Sequence, residues 1–101
     1  MFQAVAIHHA VPEHHEAWFA FMQRVIDATA DAPGLIEFTA YAEAGGPRLF
    51  GLSRWESPEA FQAALPTIMS LAPERKPEWS SRDDDLLTMT LQVDGVGGPG
   101  R

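Results

Sequence analysis

Residues 35–61 read LIEFTAYAEAGGPRLFGLSRWESPEAF, and this stretch decides the fold class. Residues 35–42 alternate between two sets of side chains, which is typical of a β-strand. The segment 43–47 (EAGGP) has the composition of a turn between strands, and residues 48–56 form a second strand-like run. The Ser-Pro pair at 57–58 matches a helix N-cap followed by proline at the first helical position. A β-hairpin followed at once by a helix is therefore predicted.

Upstream of this hairpin, the sequence predicts one strand and one helix. Residues 2–9 form a short apolar run with β-branched side chains, which is typical of a buried strand. From residue 13 to about residue 30 the apolar period becomes helical, until Pro33-Gly34 ends the helix. The helical stripe consists of Trp18, Phe21, Met22, Val25 and Thr29, widened by Phe19 and Ile26.

Downstream, the second helix is followed by an irregular segment and a last strand. The apolar face of that helix carries Phe61, Ala64, Leu65 and Ile68. Pro66 lacks a backbone N–H, so a break or kink is expected there. Residues 73–85 are irregular, residues 86–93 alternate as a strand does, and the glycine-rich residues 94–101 are expected to be a flexible tail.

The order β-α-β-β-α-β in one small domain (residues 1–93) predicts an α+β, ferredoxin-like split βαβ sandwich, with two helices on one face of a four-stranded antiparallel sheet. In the first two strands, however, both alternating sets of side chains contain apolar residues. An antiparallel sheet with one face in water should alternate cleanly between apolar and polar residues. The second face therefore needs a cover, and we expect a homodimer joined sheet to sheet.

Composition excludes several functional classes. The net charge of −7 argues against nucleic acid and anionic membranes as partners. With no cysteine, the chain has no disulfide framework, cysteine nucleophile or thiolate metal site. The N-terminal apolar run is too short for a signal peptide or a membrane span, so a cytoplasmic protein is expected.

Four local signals, taken in order, resemble the antibiotic biosynthesis monooxygenase superfamily of dimeric α/β barrels. They are a VAI strand leading into VPE (residues 5–13), the helix exit APGL with its following phenylalanine (residues 32–38), RWES followed by PEAF (residues 54–61), and the terminal strand. Glu13 departs from the family's usual glycine, and residues 66–85 match no family pattern.

The resemblance implies a small-molecule pocket in each subunit, between the helices and the sheet. It also implies oxidation of a small hydrophobic aromatic substrate, a polyketide or quinol, by dioxygen without metal, flavin or other cofactor. The alternative is a non-catalytic small-molecule-binding dimer. Haem degradation is disfavoured, because Ala6 stands where the haem branch has an asparagine and residues 58–79 contain no histidine.

The four histidines, at positions 8, 9, 14 and 15, are the conspicuous candidates for chemistry. Their spacing is poor for a metal site, because strand neighbours point to opposite faces and helix neighbours do not converge. No metal is therefore predicted. The resemblance implies that His8 faces the pocket, where its imidazole could serve as a general base. The alternative is a structural histidine bonded to the backbone.

The remaining candidates are aromatic. The expected substrate pocket contains Trp18, Phe21, Phe38, Trp55, Phe61 and Trp79. By resemblance Trp55 faces the pocket and could stack on an aromatic ligand, whereas the alternative is a core residue. Trp79 could close the pocket or anchor its loop. The run of three aspartates at 83–85 is expected to be a solvated turn.

Overall fold

The computed structural model describes residues 1–98 and has the predicted order of strands and helices. The elements are β1 (Phe2–His8), α1 (His15–Thr29), β2 (Leu35–Ala42), β3 (Leu49–Trp55), α2 (Pro58–Leu71) and β4 (Asp85–Thr90). Short 3₁₀ turns span Pro12–His14, Ala72–Glu74 and Pro77–Trp79. The last strand ends at Thr90 rather than at residue 93, because its partner strand begins at Phe2, directly opposite Thr90. The predicted flexible tail lies partly outside the described residues.

The four strands form one antiparallel sheet in the order β2-β3-β1-β4, which is the ferredoxin-like arrangement. The pairing register places Ala6 of β1 opposite Gly51 of β3, and Gly51 opposite Ala40 of β2. Because strand side chains alternate between faces, this row of small residues shares a face with Ala4 and His8. Both of these are buried, so this is the face that the helices cover.

The helix α1 buries the predicted stripe, from Trp18 to Thr29. Its exit is the predicted proline–glycine turn, where Gly34 adopts a positive φ of 82°. A Cβ atom there would lie 2.6 Å from the Cβ of Ala60 on α2, so only glycine permits this close approach of the turn to the second helix.

The helix α2 begins as predicted, with the hydroxyl oxygen of Ser57 accepting a hydrogen bond from the backbone N–H of Ala60 at 3.2 Å. The expected break at Pro66 is wrong, since the helix is continuous from Pro58 to Leu71. Pro66 and Gln62 are both exposed. The carbonyl of Gln62, which loses its partner N–H at Pro66, can therefore be solvated by water, and the helix tolerates the proline.

The outer face of the sheet has no cover in the single chain. Val5, Leu52 and Leu87 are cross-strand neighbours on it, and Leu87 is half exposed. Tyr41 and Met89 are further exposed apolar side chains on this face. The molecule is correspondingly flat, with extents of 42 × 34 × 20 Å. Within residues 1–98 there is no helix with the length and apolar character that a membrane span requires.

Candidate functional site

A cavity of about 250 Å³ lies between the helices and the covered face of the sheet. Its floor is the sheet, and its walls come from α1, α2 and the start of β4. The lining residues on the sheet are Ala4, Ala6, His8, Phe38, Gly51 and Ser53. Those on the helices and the following turn include Phe21, Met22, Val25, Phe61, Leu65, Ile68, Met69, Ala72 and Arg75. The lining is apolar except for Ser53 and for the end that holds His8, Arg75, Asp84 and Asp85.

Small residues on the sheet create the space. A Cβ atom at Gly51 would lie 3.7–3.9 Å from the side chains of Phe38, Ala6 and Met22, which is ordinary van der Waals contact. The backbone of Gly51 is thus free of strain and the position is empty only because it has no side chain.

His8 is the histidine that the cavity contains. It is buried, with 8% of its surface exposed, and its ring stacks on Trp18 at 4.3 Å between centroids with 24° between planes. Its Nδ1 lies 3.0 Å from Oδ2 of Asp84. This is ion-pair distance, although the nitrogen is not aimed along a good hydrogen-bonding direction. The histidine is therefore paired with a carboxylate and not with the backbone.

Asp84 connects this histidine to an arginine. Its Oδ2 also lies 2.8 Å from Nη1 of Arg75. Burial acts to raise the pKa of Asp84, but His8 and Arg75 together outweigh burial and hold that pKa below its ordinary value. Asp84 is thus ionised at neutral pH. The expectation of a solvated aspartate turn is wrong for this residue, whose side chain is only 22% exposed, because the chain turns it inward at the edge of β1.

The pairing of His8 with Asp84 suits the imidazole to accept a proton. A carboxylate facing Nδ1 favours the tautomer that carries its proton on that nitrogen. The basic lone pair of the neutral ring then resides on Nε2. Stacking on Trp18 fixes the plane of the ring. His8 is therefore an oriented imidazole at one end of an apolar cavity, and it can accept a proton there.

The predicted aromatic residues divide into two groups. Phe21, Phe38 and Phe61 line the cavity, and the three tryptophans do not. Trp18 and Trp55 are fully buried. The indole N–H of Trp55 donates a hydrogen bond to the hydroxyl of Ser53 at 2.9 Å.

Trp55 also packs edge-on against Phe61, with 5.8 Å between ring centroids. Ser53 and Phe61 both belong to the cavity wall. Trp55 therefore lies directly behind that wall and supports two of its residues.

Residues 72–84, here called the strap, contribute Ala72, Arg75 and Asp84 to the lining of the cavity and are fastened at several points. Glu74 receives two hydrogen bonds from Arg24 on α1, at 2.6 and 2.7 Å. The carbonyl of Trp79 accepts from the backbone N–H of Val11 at 2.8 Å and from the indole of Trp18 at 3.1 Å. Trp79 is thus an anchor of the strap.

The other histidines do not line the cavity, and two of them, His9 and His15, have hydrogen-bond partners of their own. His9 Nε2 lies 2.8 Å from Oδ2 of Asp85, and His15 Nε2 lies 2.8 Å from the carbonyl oxygen of Pro47. In the part of the chain that the structure describes, no three His, Asp or Glu side chains are grouped so that they could hold a metal ion. Sequence reasoning missed Asp84 and Arg75, since only the fold of the strap brings them to His8.

Comparison with known proteins identifies the fold. Neither a family model nor a curated protein sequence matches the chain. Solved structures do match it. An antibiotic biosynthesis monooxygenase superposes with a TM-score of 0.77 at 12% identity, covering 92% of this chain and 100% of the other. Rv0793 from Mycobacterium tuberculosis superposes with a TM-score of 0.80 at 18% identity, covering 94% of this chain and 98% of Rv0793.

MhuD, in a mutant form with two manganese protoporphyrin IX molecules bound per active site, gives a TM-score of 0.75 at 22% identity, covering 97% of this chain and 100% of MhuD. At such identities the likeness establishes the architecture and leaves the chemistry open. The resemblance to the antibiotic biosynthesis monooxygenase superfamily is thus confirmed at the level of the fold.

Proposed function

We propose that the protein is a cytoplasmic, cofactor-independent monooxygenase-like enzyme that oxidises a small hydrophobic aromatic substrate with dioxygen. One observation carries the proposal: an apolar cavity of about 250 Å³ contains an imidazole, that of His8, which stacks on Trp18 and lies 3.0 Å from the ionised Asp84. A substrate carbanion or phenolate can itself reduce dioxygen, so the step that the protein must assist is deprotonation.

In the proposed reaction, Nε2 of His8 takes a proton from an activated methylene or hydroxyl group of the substrate. Asp84 stabilises the imidazolium that forms. The substrate anion gives its electrons to dioxygen, which is reduced. For a methylene substrate, one oxygen atom becomes the new carbonyl oxygen, and the other leaves as water with the two hydrogens of the methylene. For a phenol, the new carbonyl oxygen replaces the hydrogen of a ring carbon, and the other oxygen leaves as water with that hydrogen and the hydroxyl hydrogen.

The apolar walls serve the same step. Phe21, Phe38 and Phe61 offer ring faces and edges to an aromatic substrate. Because the lining is mostly apolar, a bound ring would exclude water from the neighbourhood of His8, and this favours electron transfer to dioxygen over simple reprotonation by solvent.

The proposed working unit is a homodimer joined through the outer faces of the two sheets. The exposed apolar side chains of Tyr41, Leu87 and Met89 on the outer face support this proposal.

Oxygen consumption with a panel of anthrones and quinols tests the proposed activity. His8→Ala is expected to lower kcat by at least about 100-fold, which is the usual contribution of a general base. Asp84→Asn is expected to lower it less, since the base itself remains. His9→Gln is the matched control, because His9 also has a carboxylate partner but lies outside the cavity.

Turnover that survives His8→Ala unchanged would contradict the assignment of the base. Tight binding of aromatic ligands without any turnover would favour the alternative, a non-catalytic small-molecule-binding dimer. Haem is not the proposed ligand, since residues 58–79 contain no histidine to hold its iron. A haem titration without a change in the Soret band is the expected result.

A further inference from the structure

Arg75 lies where two depressions of the surface meet. It lines the cavity, and it also lines an adjoining open groove of about 350 Å³. The groove is polar and contains Lys76, Arg82 and the hydroxyl groups of Ser80 and Ser81. A ligand whose ring occupies the cavity could therefore extend past Arg75 into a polar, solvated space.

The guanidinium of Arg75 is held in place before any ligand binds. It stacks over Trp18, with 4.5 Å from its central carbon to the ring centroid, and it lies 5.9 Å from the centroid of Phe21. Within residues 1–98, the guanidinium forms one ion pair, from its Nη1 atom to the carboxylate of Asp84. Its side chain is 32% exposed. A stacked guanidinium with donors remaining at its edge is suited to binding a planar carboxylate.

The charge pattern around the groove differs from that of the rest of the chain. Arg24, Arg48 and Arg54 each form an ion pair with a glutamate at 2.6 Å. By contrast, Arg82 lies 3.8 Å from its nearest carboxylate, and Lys76 has no ion-pair partner in the described part of the chain.

Three basic residues line the groove together with one acidic residue, Asp83, while the carboxylates of Asp84 and Asp85 lie beside Arg75 and Arg82. In a protein with a net charge of −7 and seven lysine and arginine residues, the groove thus gathers three of the seven.

We propose that Arg75 recognises a carboxylate group on the aromatic ligand, so that the substrate class is an aromatic acid. The ring lies on the floor of the cavity near His8, and the carboxylate binds the free edge of the Arg75 guanidinium, with Lys76 and Arg82 adding attraction across the groove. This inference rests on the proposed function to the extent that it takes the cavity to be an aromatic pocket.

Isothermal titration calorimetry with two probes tests the proposal. The probes are 2-naphthoate and its neutral analogue 2-naphthamide, which share the ring and differ in charge. Wild-type protein is expected to bind the naphthoate at least about tenfold more tightly, because a charge-assisted hydrogen bond is stronger than a neutral one. Added salt should weaken the binding of the naphthoate and leave the Kd of the amide unchanged.

Arg75→Gln is expected to abolish the preference and to leave the Kd of the amide nearly unchanged. Arg75→Lys should retain part of the preference. The double variant Lys76→Gln/Arg82→Gln leaves the stacked arginine intact. It should reduce the preference for the naphthoate over the amide, but by less than Arg75→Gln does.

Arg48→Gln is the matched control. Arg48 also pairs with a carboxylate and stacks over a phenylalanine, at 5.4 Å, but it lies outside the cavity and the groove. It should keep the full preference.

Equal affinity for the two probes, or a preference that survives Arg75→Gln, would overturn the inference. Turnover of neutral anthrones without any preference for acids would overturn it while leaving the proposed function intact. If neither probe binds, the inference and the aromatic pocket both fall.

Discussion

Asp84 contacts both the candidate base, His8, and the arginine of the strap, Arg75. Its carboxylate lies between His8 on β1 and Arg75 on the strap, within 3.0 Å of each. A half-buried carboxylate would ordinarily be costly, and the two partners offset that cost. The same contacts that orient the imidazole also fasten the strap to the first strand.

The lowered pKa of Asp84 predicts a specific acid sensitivity. Because the pKa is lower in the folded protein than in the unfolded chain, ionised Asp84 stabilises the fold above the ordinary aspartate pKa of about 3.9. This contribution is lost as the pH falls through the lowered pKa. In urea unfolding between pH 7 and pH 3, the gap in unfolding free energy between wild type and Asp84→Asn should therefore narrow once the pH falls below about 4. Asp83→Asn, at an exposed neighbour, should stay close to wild type, and a constant gap for Asp84→Asn would contradict the prediction.

Trp55→Phe separates a structural from a ligand-binding role. The substitution leaves the hydroxyl of Ser53 without its indole partner and opens a small void beside Phe61. We expect a loss of roughly 2 kcal/mol in unfolding free energy, measured by urea denaturation. The Kd for an aromatic ligand should change less than about threefold, since the indole does not line the cavity. A large loss of affinity with unchanged stability would instead indicate direct stacking on the ligand.

At the scale of elements, α2 is a continuous helix although its sequence contains a proline in its interior. Pro66 lies in its ninth position, where a proline is disfavoured by about 3 kcal/mol relative to alanine. The helix is held by the packing of Phe61 and Ala64 against the sheet and by the Ser57 cap. Packing therefore outweighs intrinsic propensity in this element.

Pro66→Ala is accordingly expected to stabilise the protein, by roughly 1–3 kcal/mol in urea unfolding, because it restores a backbone donor on the exposed side of α2. The matched control is Pro58→Ala. Pro58 occupies the first turn, where no backbone donor is lost, so this change should be neutral or slightly destabilising. Equal effects of the two substitutions would show that Pro66 costs the helix nothing.

At the scale of the whole molecule, the chain consists of one helix layer and one sheet layer, and the outer face of the sheet is not covered. Its radius of gyration is 14.7 Å, against about 13 Å expected for a compact domain of this length. Its thinnest dimension, 20 Å, corresponds to one helix layer on one sheet layer. A second sheet against the outer face would bury the exposed apolar side chains on both copies.

A charge in the middle of that face should disrupt the proposed dimer. Leu52→Lys, on the central strand β3, is expected to convert a dimer into a monomer in sedimentation equilibrium experiments, because two lysines would be buried near the twofold axis without partners. Met69→Lys is the control, since Met69 is 62% exposed on α2, away from the outer face. A wild-type protein that sediments as a monomer at micromolar concentrations would contradict the proposed working unit.

Most of the architecture follows from the sequence. The alternation in residues 35–42, the helical stripe from Trp18 to Thr29 and the cap at Ser57 are local patterns. Each depends on neighbours within a few positions along the chain, so the element order and the fold class could be read from it. Strand parity, also a local property, groups His8 with Ala4 and Ala6 on one face, whereas the assignment of that face to the helices came from the family resemblance.

The site itself required the tertiary structure. His8 and Asp84 are 76 positions apart, and Arg75 comes from a strap with no regular pattern of its own. Their meeting depends on how β4 pairs with β1 and on how Trp79 anchors the strap. The same holds for Trp55, whose burial behind the cavity wall is decided by packing. Strand and helix periodicity determine which residues lie on which face, whereas contacts between distant segments determine which of those residues meet.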